Sequence, residues 1–272
     1  MAGVRNRRRE RCGEYGVDGP RAGLFTLGVA WAALAGLALV QARHGHTVAS
    51  ALELAGSLVP LVTLANYLYA TRRGKFAVWA ELLDGLQLRG DEHVLDMGCG
   101  RGAILSLAAE LVPQGAVVGL DLWRREDQSG NSPEATRRNL EAEGVRGRCA
   151  LATADMTAMP FPPATFDVVV SNLAIHNISG RDGRRRAIDE AVRVLKPGGR
   201  LLVADLMGTQ AYASRLRARE MDAVDRRRFD WRFWYGGPWL AMLPALVTAT
   251  KPAGSPPPSG ADCPSGATVL HR

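Results

Sequence analysis

The sequence contains few cysteines, few lysines and few aromatic residues. Among its 272 residues are four cysteines, and aromatic side chains account for 6%. The cysteines are widely separated and form no Cys-x-x-Cys pair; they are Cys12, Cys99, Cys149 and Cys263. This spacing excludes a disulfide framework and a cysteine-rich zinc site, and we predict no metal site. Because lysine occurs only at Lys75, Lys196 and Lys251, arginine carries almost all of the net charge of +7.

A basic balance can indicate contact with nucleic acid or with anionic lipid. Two runs in the second half of the chain, Arg184–Arg186 and Arg226–Arg228, are most simply the solvated faces of a helix and of an edge strand. We identify no aromatic-basic module for single-strand binding beside them. We therefore expect no nucleic-acid partner, and anionic lipid headgroups fit the charge better.

The N-terminal quarter of the chain is predicted to be a basic leader followed by a membrane hairpin. Residues 1–21 contain six arginines, and Ala22–Val40 then runs without a charge. A second apolar stretch, Thr47–Ala70, contains Glu53 and Pro60 and precedes a basic cluster at Arg72, Arg73 and Lys75. About 20 apolar residues cross the hydrocarbon core of a bilayer. We therefore predict one or two transmembrane helices, with residues 22–70 as the hairpin.

The charges that flank these stretches predict an orientation. Six arginines precede the first stretch, Arg43 lies between the two, and three basic residues follow the second. The positive-inside rule then places both termini in the cytoplasm. We predict a cell-membrane protein whose large C-terminal part is cytoplasmic. Two alternatives stay open: a cleaved signal peptide ending near Ala42, and a second stretch that packs as an interfacial or core helix.

From residue 71 to residue 252, short β-branched runs alternate with helical patterns, which is typical of an α/β domain with a parallel sheet. The predicted strands are His93–Met97, Ala116–Leu122, Cys149–Thr153, Phe166–Asn172, Arg200–Leu206, Val224–Trp231 and Ala245–Thr250. The predicted helices are Phe76–Leu88, Ala103–Leu111, Pro133–Glu143, Gly183–Leu195 and Gln210–Arg219. The tail, residues 253–272, is rich in Pro, Gly and Ser and is predicted to be disordered.

Acidic residues and glycines lie where three of these strands end, the edge at which open parallel sheets bind ligands. The first strand leads into the loop Gly98-Cys99-Gly100, whose glycines allow close backbone approach. This loop, with Ala103, also fits a dinucleotide fingerprint. Asp96 argues against a dinucleotide, because a carboxylate here repels a pyrophosphate and attracts an ammonium group. Asp121 can accept hydrogen bonds from ribose hydroxyls, and Asp155-Met156 can hold an adenine.

Three further features surround this edge. His176 follows the fourth strand by four residues and could act as a general base or only cap the next helix. The ten residues 122–131 separate Asp121 from the helix N-cap at Ser132, and they could form a lid or an ordinary surface loop. The segment 231–239 holds half of the six tryptophans. It could line an apolar acceptor pocket, touch the membrane interface or pack the last hairpin.

Together these motifs resemble class I S-adenosylmethionine-dependent methyltransferases of the type 11 branch, over roughly Phe76 to Lys251. The resemblance rests on Asp96–Gly102, Asp121, Asp155–Phe161, Phe166–Asn172 and Leu195–Gly199. It implies a Rossmann-like sheet of seven strands in the order 3-2-1-4-5-7-6, with helices on both faces and an antiparallel last strand. It also implies S-adenosylmethionine as the cofactor. The residues implied to hold it are Asp96, Gly98, Cys99 and Gly100 at the methionine, Asp121 at the ribose, Asp155 and Met156 at the adenine, and Asn172 facing the methyl group, with Leu122 as a further cofactor-binding residue.

The sequence therefore predicts a membrane-tethered methyltransferase that acts on a small-molecule or lipidic acceptor at the cytoplasmic membrane face. Ser171-Asn172-Leu173-Ala174 lacks the proline and the aromatic residue of base N-methyltransferases, which agrees with the expected absence of a nucleic-acid partner. The alternatives are an NAD(P)-dependent oxidoreductase with a Rossmann domain and a non-catalytic S-adenosylmethionine-binding module. No tyrosine precedes a lysine by four residues, so the Tyr-x-x-x-Lys pair expected of the oxidoreductase is missing.

Overall fold

The computed structural model describes residues 11–18, 21–236 and 243–254. Most of the predicted leader and the predicted disordered tail after residue 254 lie outside the described residues, as do Trp239 and Cys263.

Two long apolar helices form an antiparallel hairpin at the start of the described chain. They are α1 (Arg21–Arg43) and α2 (Thr47–Tyr69). Helix α2 continues without a break through a π-helical turn, Ala70–Gly74, into α3, Lys75–Gly85. The sequence predicts a separate helix at Phe76–Leu88, but residues 70–75 contain no proline to stop the helix. Gly74 is needed here because a Cβ on it would lie 1.7 Å from the carbonyl oxygen of Arg232.

Both arms of the hairpin are long and apolar enough to cross a membrane, judged by length and composition. The two segments, Phe25–Arg43 and Thr47–Gly85, each reach a mean hydropathy of 1.7, and 6% and 17% of their most apolar windows are buried. Large apolar side chains on them are exposed, among them Phe25, Leu39, Val48, Leu52 and Val59. Signal sequences and the core helices of soluble proteins can meet the same criterion of length and hydropathy, although core helices are mostly buried.

The predicted seven-stranded sheet is confirmed, including its order β3-β2-β1-β4-β5-β7-β6. Its strands are β1 (His93–Met97), β2 (Ala116–Asp121), β3 (Cys149–Thr153), β4 (Phe166–Asn172), β5 (Leu195–Asp205), β6 (Asp222–Arg228) and β7 (Ala245–Thr250). Strands β1 to β5 are parallel, whereas β7 runs antiparallel to both of its neighbours. The carboxyl ends of β1 to β5 therefore meet at one edge of the sheet.

The remaining helices flank this sheet close to their predicted positions. They are α4 (Ala103–Leu111), α5 (Pro133–Ala142), α6 (Arg181–Val194) and α7 (Thr209–Ala218). Strand β5 begins five residues before its predicted start, because Leu195 pairs with Phe166 ahead of an irregularity in the ladder. Strand β6 ends at Arg228 rather than at Trp231, since Asp230 caps a 3-10 turn over Trp231–Phe233.

Alternate residues of the central strands pack into separate cores on the two faces of the sheet. Val94 and Val168 belong to the core on one face, and Leu95 and Val169 to the core on the other. This alternation follows from the period of two along a β-strand. Burial on both faces explains why these strands consist of nearly continuous apolar runs.

A short N-terminal arm, Arg11–Asp18, packs against the domain although the sequence places it in the polar leader. Tyr15 is 6% exposed and donates from its hydroxyl to Glu143 Oε1 at 3.0 Å. Arg11 Nη1 lies 2.6 Å from Glu110 Oε1. These buried polar contacts fix the arm on α4 and on the residue that follows α5.

Candidate active site

A cavity of about 800 Å³ opens at the carboxyl edge of the parallel strands. Every residue that the sequence predicts for the site lies on its wall: Asp96, Gly98, Cys99, Gly100, Asp121, Leu122, Asp155, Met156, Asn172 and His176. The structure thus brings together residues that are up to 80 positions apart in the chain. Their individual roles stay predictions.

The loop after β1 is held tightly against β2. The amide of Gly98 donates to the carbonyl of Leu120 at 2.7 Å, and the amide of Gly100 donates to Asp121 Oδ2 at 2.8 Å. Gly98 has a φ of +76°, and a Cβ on it would lie 2.2 Å from the Cβ of Ala174. Only glycine satisfies both conditions, so the loop passes directly under the segment that follows β4.

Asp96 is a buried carboxyl group beneath this loop. Its side chain is 1% exposed, and within the described part of the chain neither carboxylate oxygen has a hydrogen-bond partner. Burial, reinforced by the negative charge of Asp121, raises the pKa of Asp96 to about 8. An unpartnered buried carboxylate is costly, and a ligand that brings a cation to the cavity would offset that cost.

Asp121, the last residue of β2, is surrounded by donors. Besides Gly100, its carboxylate accepts from the amide of Trp123 at 2.6 Å and from Asn131 Nδ2 at 3.2 Å. A carboxylate offers about four lone-pair positions, so Asp121 can still accept from a ligand hydroxyl. Asn131, on the cavity wall and 3% exposed, was not predicted as a site residue.

The β2–α5 insertion, residues 122–131, folds back over the glycine loop. Gln128 Oε1 accepts from the amide of Arg101 at 2.8 Å, and Arg101 Nη1 donates to the carbonyl of Ser129 at 3.2 Å. Gln128 also lines the cavity. Of the two interpretations left open by the sequence, a covering element describes the insertion better than an unattached surface loop.

The residues after β3 form the rim of the cavity. Asp155 is exposed, and its Oδ1 accepts from the amide of Thr157 at 2.7 Å. Met156 is partly buried and would lie 3.1 Å from a Cβ placed on Gly98. An apolar side chain beside an exposed acceptor suits a flat heteroaromatic ring that carries a donor at its edge.

Asn172, the last residue of β4, is oriented by α3. Its Oδ1 accepts from Trp79 Nε1 at 2.8 Å, and Trp79 is completely buried. This bond fixes the orientation of the Asn172 amide, with its oxygen towards α3. The helix that continues from the apolar hairpin therefore supports a residue on the cavity wall, a link that no local sequence pattern indicates.

His176 lies in a 3-10 turn after β4 and pairs with a second residue that the sequence prediction missed. Its Nδ1 is 2.5 Å from Asp205 Oδ1, and its backbone amide donates to Asp205 Oδ2 at 2.9 Å. Asp205 is fully buried and also accepts from the hydroxyl of Tyr212 at 3.2 Å. Asp205 ends β5, so the rule that placed the other acids at strand ends could have found it.

This arrangement orients the imidazole of His176. A carboxylate bound to Nδ1 favours the tautomer that has its proton on Nδ1 and leaves Nε2 as an acceptor. The His176 side chain is 18% exposed and lines the cavity. The His176–Asp205 pair can therefore remove a proton from a group bound in the cavity.

The aromatic segment that begins at Trp231 contributes to the cavity wall and also packs against the end of α2. Phe233 and Tyr235 are buried, and Tyr235 lines the cavity. Trp231 is 62% exposed and stacks on Tyr69 at the end of α2, with ring centroids 5.4 Å apart. The segment thus packs against the helix that leaves the apolar hairpin. Among the described residues, no cluster of His, Cys, Asp or Glu could hold a metal ion.

The comparisons with known proteins agree with this geometry. The family described as "Methyltransferase domain" matches residues 95–203. The sterol 4-C-methyltransferase strm-1 of Caenorhabditis elegans is 32% identical over 131 residues, which cover 48% of this chain and 36% of that protein. The demethylmenaquinone methyltransferase of Symbiobacterium thermophilum is 33% identical over 131 residues, which cover 47% of this chain and 49% of that protein. The chain thus spans less than half the length of these relatives.

A solved structure shares the fold at low sequence identity. Geranyl diphosphate methyltransferase in complex with GPP and sinefungin superposes with a TM-score of 0.53 at 14% identity, covering 70% of this chain and 83% of the other. At that identity the likeness shows the fold alone. The chemistry of the site must come from its own residues.

Proposed function

We propose that the chain is a class I S-adenosylmethionine-dependent methyltransferase, in line with the match to the methyltransferase family at residues 95–203, and that it transfers a methyl group to a small-molecule or lipidic acceptor at the cytoplasmic face of the cell membrane. One observation carries the proposal. A single cavity has the unpartnered carboxylate of Asp96 and the His176–Asp205 pair on or beside its wall. The first suits a cationic cofactor and the second an acceptor that must lose a proton.

The residues of the cavity fit the cofactor. When bound, S-adenosylmethionine supplies an electrophilic sulfonium methyl group together with an ammonium group. Asp96 offers a buried carboxyl group that can ionise when an ammonium group binds, and Asp121 offers carboxylate lone pairs to ribose hydroxyls. Asp155 and Met156 suit the edge and the face of an adenine. Gly98 and Gly100 allow Ala174 and Gln128 to pack closely against the loop that borders these contacts.

His176 acts in this proposal as the general base for the acceptor. Asp205 holds Nδ1 of the imidazole, so Nε2 is left to take a proton from a hydroxyl or an acidic carbon. As the imidazole becomes charged, the buried carboxylate of Asp205 stabilises it. Asn172, fixed by Trp79, lies on the same wall, where it can orient the acceptor.

Two relatives and the position of the cavity support the proposed acceptor class. The two relatives are named for a sterol and for demethylmenaquinone, which are apolar molecules with small polar heads. Tyr67 of α2 and Tyr235 line the cavity here, so the wall includes the end of an apolar helix. A membrane-dissolved acceptor would meet the cavity at a high local concentration.

The membrane part of the proposal rests on the exposed apolar surface of the hairpin. Leu52 and Val48 are 70% and 73% exposed. An exposed apolar surface of this kind is typical of a site that contacts a membrane or another protein. Arg72 and Arg73 are exposed just after α2, where they can meet anionic headgroups. These basic residues and the arginine-rich leader favour a cytoplasmic catalytic domain.

Methyl transfer is tested with membranes that contain the full chain. They are incubated with S-adenosylmethionine labelled in the methyl group, and the lipid extract and the aqueous phase are counted separately. We expect label in the lipid extract, and its loss with Asp96→Asn. Asp167→Asn is the matched control, because Asp167 pairs with Lys196 at 2.8 Å outside the cavity. Binding of NAD(P)H without binding of S-adenosylhomocysteine would contradict the proposal, as would label that persists in Asp96→Asn.

Membrane association is tested by extraction with alkaline carbonate. The wild type is expected to stay in the pellet, whereas Leu52→Arg with Val59→Arg places two charges on the exposed face of α2 and should release part of the protein. Glu141→Arg with Glu220→Arg adds arginines at exposed domain positions and should stay in the pellet. A wild type that carbonate releases would overturn the tether.

A further inference from the structure

The N-terminal arm ends in a carboxylate on which several donors converge. Lys75 Nζ lies 2.8 and 2.9 Å from the two oxygens of Asp18. Asp18 Oδ2 also accepts from the hydroxyl of Thr71 at 3.0 Å and from the hydroxyl of Tyr235 at 2.8 Å. The hydroxyl of Tyr67 donates to the backbone carbonyl of Asp18.

This cluster belongs to the cavity wall. Asp18, Lys75, Tyr67 and Tyr235 all line the cavity, and Lys75 is 1% exposed. An ammonium group buried to that extent needs a counter-charge, which Asp18 supplies. The tyrosines agree with this arrangement: burial, then the negative charge of Asp18, raises the pKa of Tyr235, so Tyr235 stays a donor.

Asp18 also contacts the element that covers the glycine loop. Gln128 Nε2 donates to the carbonyl of Tyr15 at 3.2 Å and lies 3.4 Å from Asp18 Oδ1. The same side chain accepts from the amide of Arg101 through Oε1. A Cβ on Gly100 would lie 2.3 Å from that oxygen, so the absence of a side chain at Gly100 allows Gln128 to pack against the loop.

We infer that Asp18 is a positioning residue for methyl transfer. It contacts both the element that holds the glycine loop and the helix that orients Asn172 on the cavity wall. Through Gln128 it fixes the backbone at Gly100–Arg101. Through Lys75 it fixes α3, whose Trp79 lies one turn further on and orients Asn172. This role rests on the proposed function, because it concerns the cofactor and the acceptor of that reaction. It assigns a function in the reaction to a segment that the sequence places in a leader.

The test measures the Kd for S-adenosylhomocysteine by calorimetry on the full chain in detergent. Asp18→Asn keeps the size of the side chain and leaves Lys75 without its counter-charge, and we expect the Kd to rise about tenfold, the effect of one lost charge-assisted hydrogen bond. Gln128→Ala removes the link to Arg101 and should have a similar effect. Because Asp18 reaches the glycine loop through Gln128, the two substitutions break the same path to the cofactor, and the double variant should also lose about tenfold rather than about a hundredfold.

A control separates positioning from general support of the fold. Arg11 joins the same arm to Glu110 and to Ser106, and neither of these partners lines the cavity. Arg11→Gln should lower the Tm yet leave the Kd within about twofold. In hydrogen exchange without ligand, the Arg101 amide should exchange faster in Asp18→Asn and in Gln128→Ala than in Arg11→Gln.

Three results would overturn the inference while leaving the proposed function intact: a Kd unchanged in Gln128→Ala, additive losses in the double variant, or equal Arg101 exchange in all variants. Gln128→Ala decides the matter if Asp18→Asn does not fold. A wild type that fails to bind S-adenosylhomocysteine is a different outcome, since it would overturn the proposed function itself.

Discussion

Trp79 Nε1 donates a hydrogen bond of 2.8 Å to Asn172 Oδ1, which joins α3 to the end of β4. Trp79 is fully buried, so the bond is shielded from water and the indole N–H depends on this acceptor. The bond orients a cavity residue from a helix that begins in the apolar hairpin.

Trp79→Phe should therefore reduce both stability and turnover. The substitution removes the donor and leaves a small cavity, which together cost about 1–3 kcal/mol and lower the Tm by several degrees. Turnover should fall because the Asn172 amide is free to rotate. Trp231→Phe, which alters a largely exposed ring, should change stability by less than about 0.5 kcal/mol. Equal effects of the two variants in thermal unfolding and in methyl transfer would contradict this role for the bond.

Ligand binding should release a proton from Asp96. In the unliganded chain its pKa of about 8 keeps the carboxyl group mostly protonated at pH 7, whereas a bound ammonium group favours the ionised form. Calorimetric titration with S-adenosylhomocysteine in buffers of different ionisation enthalpy should therefore detect close to one proton released at pH 7. The release should disappear in Asp96→Asn and persist in Asp167→Asn. No release in the wild type would mean that Asp96 does not meet the ammonium group.

The same carboxyl group should make the unliganded chain less stable at high pH. Its folded pKa lies above the value of about 3.9 expected in the unfolded chain, so the folded state binds this proton more tightly. The resulting stabilisation is complete below about pH 4 and is lost as pH rises through about 8. Between pH 6 and pH 9 the Tm should fall more steeply in the wild type than in Asp96→Asn, which cannot ionise. Parallel curves for the two proteins would show that Asp96 is ionised already.

His176→Ala should slow methyl transfer without weakening cofactor binding. Loss of a general base costs about 10²- to 10⁴-fold in rate, and added imidazole should restore part of the activity. Asp205→Asn should give a smaller loss, because the imidazole remains but loses its orienting carboxylate. The control is His93→Ala, an exposed histidine at the opposite end of β1. If turnover of His176→Ala matches the wild type, the reaction proceeds by alignment of the acceptor alone.

Two glycines with equal φ allow backbone strain and close packing to be separated. Gly98 and Gly198 both have φ of +76°, but a Cβ on Gly198 would meet nothing within 4 Å, whereas one on Gly98 would lie 2.2 Å from Ala174. Gly198→Ala should therefore cost only the left-handed strain of about 1–2 kcal/mol. Gly98→Ala should cost more and should also weaken binding of S-adenosylhomocysteine. Similar Tm values for the two variants would show that the loop can move away from Ala174.

The strands and helices that have a regular local pattern of apolar residues could be predicted from the sequence. β1, β3, β4 and β7 begin and end at their predicted residues, because short apolar runs bounded by turn-forming and polar residues identify strands. The glycine loop and the strand-end acids were found for the same reason. Asp205 obeys this rule as well, but it has no neighbouring motif to draw attention to it.

The contacts between distant segments could not be predicted. The arm Arg11–Asp18 has no apolar period, and its attachment depends on single polar pairs such as Arg11 with Glu110. The continuity of α2 with α3 was missed because the basic residues after Tyr69 are typical of the end of a membrane span. In the sequence Gly74 suggests a helix end. In the structure it lies within the continuous helix, where its lack of a side chain allows the carbonyl of Arg232 to pack against the backbone.

The uninterrupted helix from Thr47 to Gly85 has 39 residues and is about 58 Å long. In the proposed orientation its first half lies in the bilayer and its second half enters the domain, so it holds the cavity at one height above the lipid and at one rotation about the helix axis. One residue inserted between the two halves would lift the domain by about 1.5 Å and turn it by about 100°. In the proposed arrangement, the length of this helix sets the height of the cavity above the bilayer. The wild-type protein would therefore select acceptors partly by how far the methylated atom extends from the bilayer.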